Sequence, residues 1–149
     1  MDKKQTSPAA ADDPFGSLVG YHLRRLSVLA MTDLSKALAP LGLKPADASV
    51  LFSLAANPGI TQSDMGKTLG IRRANMAPLI AALVERGLID RQAVDGRSQA
   101  LRLSASGRLL QSQARKVTET HEQLWFGELA PDARGDLIAL LRGLWQERV

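Results

Sequence analysis

The feature that most restricts how this chain folds is a change of hydrophobic period just after Gly87. Upstream, apolar residues recur every three to four positions, whereas in residues 88–92 and 100–103 they alternate. The first period belongs to a helix with one buried face and the second to a half-buried strand. Between the two alternating runs, residues 93–99 contain Asp95-Gly96, a strong hairpin-turn signal. A mainly α chain therefore carries one small β-hairpin, placed directly after a helix that Gly87 closes.

The helices around it can be read from the same pattern. Residues 1–14 are polar, carry Pro8 and Pro14, and read as a disordered tail. From Phe15, the recurrence of Leu18, Val19, His22, Leu23, Leu26, Leu29, Ala30, Leu34 and Leu38 predicts a long amphipathic helix that Pro40 and Gly42 end. A second helix over about 46–56 buries Val50, Leu51 and Leu54, and Asn57-Pro58-Gly59 is a turn. Thr61 caps a short helix over 62–69, with Asp64 completing the capping arrangement and Gly70 ending it. A helix over about 72–86 turns Met76, Leu79, Ile80, Leu83 and Val84 inward. Beyond the hairpin, Ser104 caps a helix to about Gly127, and Pro131 suits the start of a last helix over about 132–147.

Composition removes several function classes. The absence of cysteine excludes disulfides, zinc ribbons, iron–sulfur sites and thiol nucleophiles. His22 and His121 are too few for a histidine-rich metal centre. No phosphate loop, dinucleotide fingerprint or supported Ser/His/Asp set is present, so the expectation is a non-enzyme with no catalytic residue, metal or cofactor. The longest apolar run, residues 77–84, is far shorter than a membrane span, and the N-terminus lacks a signal-like stretch. These point to a soluble, cytoplasmic chain.

Charge is unevenly placed. Between Ile60 and Arg108 lie eight basic and four acidic residues, a surplus equal to the net charge of +4 for the whole chain. A localised basic zone is the footprint of a polyanion binder, although a plain solvated face has the same signature. Here it coincides with a short helix, a second helix and the hairpin, which in that order read as a helix-turn-helix with a β-wing. Such a pair holds its second helix so that the N-terminal residues reach into a major groove. The wing tip, Val94-Asp95-Gly96-Arg97-Ser98, would offer Arg97 to the adjacent minor groove.

In residues 43–110 the chain resembles the MarR family of winged helix-turn-helix transcriptional regulators. The likeness rests on the Leu-rich helix, Pro58-Gly59, the Thr61-Gln62 helix start, the following helix, Gly87-Leu88-Ile89, the Asp95-x-Arg97 wing and Leu103-Ser104-Ala105-Ser106-Gly107. The resemblance implies a mainly α fold with a small β-wing. It implies a DNA-binding lobe over 43–104 and helical dimerisation segments at 15–42 and 105–149.

It further implies that Arg72, Arg73, Ala74, Asn75 and Ala77 face the major groove, where Arg pairs with guanine, Asn with adenine and Ala with thymine methyls. Gln62 and Ser63 would hold a phosphate at a helix start, with Asp95 and Arg97 as the wing pair. Pro78 departs from the polar or basic residue usual there, removes the backbone bond to Ala74 and predicts a loosened or kinked helix with an apolar contact.

The implied function is a homodimeric repressor on a palindromic operator in double-stranded DNA, released by a small aromatic effector. Tyr21, His22, Arg25, Leu26, Leu29 and Phe52 are the expected effector residues. The string Ile71-Arg72-Arg73-Ala74-Asn75-Met76-Ala77-Pro78 is similar to members responsive to aryl-CoA thioesters, and Arg24 and Arg25 could meet such an anion. An effector-independent architectural DNA binder and a winged-helix protein-interaction module remain the alternatives.

Overall fold

The computed structural model describes residues 13–93 and 99–146. In chain order these form α1 (Val19–Leu38), a 3-10 turn (Ala39–Leu41), α2 (Pro45–Ala56), α3 (Gln62–Leu69), α4 (Arg73–Glu85), β1 (Ile89–Ala93), β2 (Gln99–Leu103), α5 (Ala105–Phe126) and α6 (Pro131–Gln146). The mainly α architecture with one antiparallel hairpin is as the periodicity predicts. The first helix is the clearest boundary change, starting at Val19 rather than near Phe15. No side chain caps it, Leu18 is extended, and the Asp13 carboxylate accepts the Phe15 amide at 3.0 Å to hold a turn instead.

The other termini follow their cap chemistry. Pro45 opens α2, and Asp47 Oδ2 accepts the Lys44 amide at 2.7 Å. At α3 the Thr61 hydroxyl accepts the Asp64 amide at 3.2 Å and donates to Asp64 Oδ2 at 2.8 Å. The box therefore closes through the hydroxyl rather than through the Thr61 amide. Helix α4 ends in a Schellman closure, with the Leu88 amide donating to the Leu83 carbonyl and the Gly87 amide to Val84. Gly87 supplies the left-handed φ of 67° which that closure needs. Leu88 is consumed by this closure, which is why β1 begins one residue later than the alternation suggests.

Leu38, Val50, Leu51, Leu54, Met65, Met76, Ile80, Leu83, Ile89 and Leu101 form the centre of one core shared by α1–α4 and both strands. Strand pairing runs from Ile89–Leu103 to Ala93–Gln99. The free edge of β2 meets the segment before α3: the Leu101 amide donates to the Ile60 carbonyl at 3.1 Å and the Gly59 amide to the Leu101 carbonyl at 3.0 Å. The wing is thereby anchored to the start of α3. At the other end of β2, the Ser104 amide donates to the Leu88 carbonyl at 3.1 Å, and the Ser104 and Ser106 hydroxyls donate to the Gly87 carbonyl at 2.6 and 2.8 Å. Ser104 Oγ also accepts the Gly107 amide at 2.9 Å, so Ser104 caps α5 as expected.

Two helices keep much of their apolar surface outside this core. None of the residues of α6 is buried, and Leu137, Ile138, Leu140, Leu144 and Trp145 are exposed. On α1, Val19, Leu23, Leu26, Val28, Leu29 and Met31 are exposed as well. His22, expected on the packed side, is exposed and donates from Nε2 to the Gly16 carbonyl at 2.9 Å. His121 is buried, with Nε2 donating to the Ala30 carbonyl at 3.1 Å and lying 3.7 Å from Asp33 Oδ2. Trp125 Nε1 donates to the same carboxylate at 3.0 Å, binding α5 to α1 within the chain. Among the described residues no single helix is long and apolar enough to cross a membrane.

Gly107 shows how tightly α5 meets the wing, because a methyl group there would collide with the Leu88 carbonyl. Gly107→Ala should destabilise the fold by about 1–3 kcal/mol, the usual cost of forced overpacking. Gly135→Ala, on α6 with open space around it, should be neutral or stabilising by up to about 1 kcal/mol through helix propensity. Thermal melting of the two variants checks the contrast.

Candidate nucleic-acid interface

Helices α3 and α4 are joined by a turn that leaves no slack. Gly70, at φ 63°, reverses the chain, and the Ile71 amide donates back to the Gly66 carbonyl at 2.9 Å. Gly66 is needed for a second reason: a Cβ there would press on the Ile71 carbonyl at 3.1 Å. Ile71 is half-buried beneath the turn and packs on the core, and Arg72 follows as the extended N-cap of α4.

Helix α4 continues through Pro78 to Glu85. Met76, Ile80 and Leu83 are buried on one side of it, so both halves remain fastened to the core across the missing backbone bond. At 3.6 residues per turn the opposite side carries Ala74, Pro78 and Ala81, all exposed. Arg73 and Asn75 flank this small apolar face, one on each side, and both are exposed. Small side chains let a helix backbone come close to whatever it meets, and the two longer polar groups then reach past it on either side.

Arg73 stands at the lip of a groove of about 520 Å³ formed between α3, α4 and β2. Gln62, Ser63, Lys67 and Gln99 line it with Arg73, over a floor that includes Met76 and Leu101. The structure thus brings together Gln62, Ser63 and Arg73 from the expected set. Lys67 and Gln99 are additions that residue type alone did not select. Gln99 could have been found from the strand alternation, which places it on the same face as Leu101. Asp95 and Arg97 lie outside the described residues.

Electrostatics at the start of α3 are locally balanced. The Thr61 hydroxyl, then Lys67, hold the Asp64 carboxyl below its ordinary value of 3.8. Asp64 and Lys67 lie 3.5 Å apart and offset one another. The positive side of the groove is consequently carried by Arg73.

The expected effector residues fall into two separate groups. Tyr21 on α1 stacks on Phe15 with centroids 5.0 Å apart, and the Arg24 and Arg25 guanidinium groups lie 5.6 and 5.7 Å from its ring. Arg25 Nη1 donates to the Tyr21 hydroxyl at 3.0 Å, while His22, Leu26 and Leu29 are exposed along the same helix. Phe52 is half-buried on α2, under the guanidinium of Arg115 at 5.5 Å. A cleft of about 310 Å³ between α1 and α5 is lined instead by Asp33, Ala37, Lys116, Val117, Thr120, His121 and Leu124. Two buried hydroxyls, Ser53 on α2 and Thr118 on α5, have no hydrogen-bond partner among the described residues.

A helix-turn-helix seated on a common core with a two-stranded wing, and with a basic groove at the front of its second helix, defines a winged helix-turn-helix protein. The family model described as MarR family matches residues 41–98. A solved transcriptional repressor, CouR, bound to a 23-mer DNA duplex, is 36% identical, covers 90% of this chain and 99% of its own, and superposes with a TM-score of 0.81. CouR bound to p-coumaroyl-CoA is 34% identical, with 93% and 99% coverage and a TM-score of 0.81. A protein of Thauera aromatica named as a candidate transcriptional regulator for the hcr operon is 27% identical over 99% of this chain and 94% of that protein. The chain belongs to the MarR family of transcriptional regulators.

The cap of α3 gives a test of the groove's footing. Thr61→Ala should cost about 1 kcal/mol, as loss of an N-cap does. Because the folded pKa of Asp64 is lowered, its contribution is complete above the unfolded value and is lost as pH falls through the lower folded one. Asp64→Asn should therefore lower stability at neutral and alkaline pH, where the contribution of the carboxylate is complete, and flatten the acid limb of the profile below about pH 4. Urea unfolding at a series of pH values checks both.

Proposed function

We propose that the protein binds a palindromic operator as a homodimer and represses transcription until a small aromatic acid or its CoA thioester releases it. The observation that carries this reading is the front of α4: a small apolar face flanked by Arg73 and Asn75, beside a groove with Gln62 and Ser63 on its wall. Arg73 and Asn75 supply the two side chains best suited to guanine and adenine edges, and Ala74 and Ala77 suit thymine methyls. Arg72 and Pro78 lie at the ends of the same surface. Gln62 and Ser63 meet the phosphate backbone, and Arg97, oriented by Asp95, extends the contact into the minor groove.

Dimerisation is supported by the apolar residues that α1 and α6 leave uncovered, since a water-exposed row such as Leu137, Ile138, Leu140 and Leu144 is stabilised by burial against a second copy. Residues 15–42 and 105–149 then act as the dimerisation segments and residues 43–104 as the DNA-binding lobe. A twofold dimer of winged lobes presents two recognition helices to half-sites about one helical turn apart.

Release requires a ligand that binds the geometry unable to span those half-sites better than the one that can. CouR, solved both on DNA and with p-coumaroyl-CoA, supports an aryl-CoA effector class. In this chain Tyr21, His22, Arg25, Leu26, Leu29 and Phe52 are the proposed effector contacts. Arg24 and Arg25 supply charge for an anion, and the partnerless Ser53 and Thr118 hydroxyls could bond a polar group of the ligand.

Selection of duplexes from a random pool at two salt concentrations tests the reading. A palindrome preferred by about 10³-fold or more over random DNA supports it. Salt-sensitive binding without enrichment indicates an architectural DNA binder, and no binding indicates a protein-interaction module or an effector-locked form. Arg73→Ala should lose about 1–3 kcal/mol of specific binding, and Arg97→Ala should weaken binding and lower the salt slope by about one. Calorimetry with aromatic acids and their CoA esters identifies the effector, and absence of heat from every one of them removes that part of the proposal.

A further inference from the structure

One side chain at the base of the wing is aimed by another. Directly paired residues on antiparallel strands share a face, so the pairs Arg91–Leu101 and Ala93–Gln99 place Arg91, Gln99 and Leu101 on one side of the wing. Leu101 is buried in the core, which turns this side toward α3 and α4. Gln99 accordingly lines the groove with Gln62, Ser63, Lys67 and Arg73. Its height there is set by backbone, because the neighbouring Ala100 bridges to Thr61, the cap of α3.

Arg91 Nη1 donates to Gln99 Oε1 at 3.4 Å. A guanidinium carries only donors, so it selects the carbonyl end of the amide. The end left to meet a ligand is Nε2, which donates. A donor on the wing, level with the start of α3, suits the acceptor oxygens of a phosphate. The geometry points to Gln99 as a contact to the DNA backbone, with Nε2 donating to a phosphate oxygen of the strand that lies between α3 and the wing. Arg91 is its positioning residue, fixing which end of the amide faces the groove. The inference rests on the DNA-binding reading above and adds a phosphate contact on the wing side of the groove.

The contact has a signature that a charged contact lacks. A neutral amide displaces no counterion, so Gln99→Ala should weaken binding to random and selected duplexes alike, by about tenfold, with the salt slope unchanged. Gln99→Glu replaces the donor with an anion facing phosphate and should weaken binding further. If Arg91 acts through Gln99, Arg91→Ala and the double variant should lose no more than Gln99→Ala does, and their salt slopes should match wild type.

The experiment is a fluorescence-anisotropy titration of the full chain against a fluorescein-labelled random-sequence duplex and the duplex enriched by selection. It is run over a range of KCl concentrations for wild type, Q99A, Q99E, R91A and R91A/Q99A, and wild-type melting temperatures certify each fold. Q99E binding as tightly as wild type overturns the phosphate contact. Additive losses, with a slope reduced by about one in R91A, overturn the positioning role and make Arg91 a direct phosphate ligand. Failure of the wild type to bind either duplex at low salt defeats the DNA-binding reading itself, before any variant is compared.

Discussion

The placement of every functional part depends on how the second strand of the wing is hydrogen-bonded. One edge of β2 pairs with β1, and the other meets Gly59–Thr61 through the Leu101 amide and carbonyl. A buried amide left without a partner costs about 1–3 kcal/mol, so these bonds hold the wing firmly to the segment that opens α3. At its C-terminal end the strand runs into Ser104, which bonds back to Leu88 and caps α5. One short strand thus sets the start of α3, the height of the wing and the departure of α5. Helix α5 meets the segment that opens β1 through Gly107 and Leu88, where there is no room for even a methyl group.

The recognition surface is built by subtraction as much as by addition. Helix α4 buries Met76, Ile80 and Leu83 and presents alanines and a proline outward. Over the first two turns, polar reach is confined to the two flanks, at Arg73 and Asn75. Pro78 removes a backbone bond that a free helix would need, yet the buried residues on both sides of it keep the helix continuous. Tertiary packing overrides local propensity here, as it commonly does for a helix with one well-buried side.

The joint between α1 and α5 has a different character. Asp33 accepts from Trp125 and lies beside the buried His121, which is itself bonded to the Ala30 carbonyl, and a cleft opens along the same seam. Polar side chains hold the two helices in register at this point, while their outer apolar faces remain uncovered. The arrangement ties α1 to α5 by directional bonds and leaves the broad apolar contact available to a second copy.

Element types and order were legible in the sequence because each depends on local chemistry. The Thr61 and Ser104 caps, the glycines at 70 and 87, and the change from period 3.6 to period 2 act over a few residues and need no partner from elsewhere. The candidate contacts on α4 were legible only in part for the same reason. Helical spacing turns Ala74 and Asn75 away from Met76 and Ile80, whereas Arg73 and Ala77, each three residues from one of them, fall at the edge of that buried side, and packing shows Arg73 lining the groove. What only the tertiary structure decided were the meetings between segments far apart in the chain: Thr61 with Ala100, Leu88 with Gly107, Asp33 with Trp125, and Gln99 with the front of α3 and α4. Phe52 likewise meets Arg115 of α5, while Tyr21 stacks on Phe15, because a face read from one helix does not say which other helix it will meet. Periodicity specifies which side of an element is buried, and packing alone specifies against what.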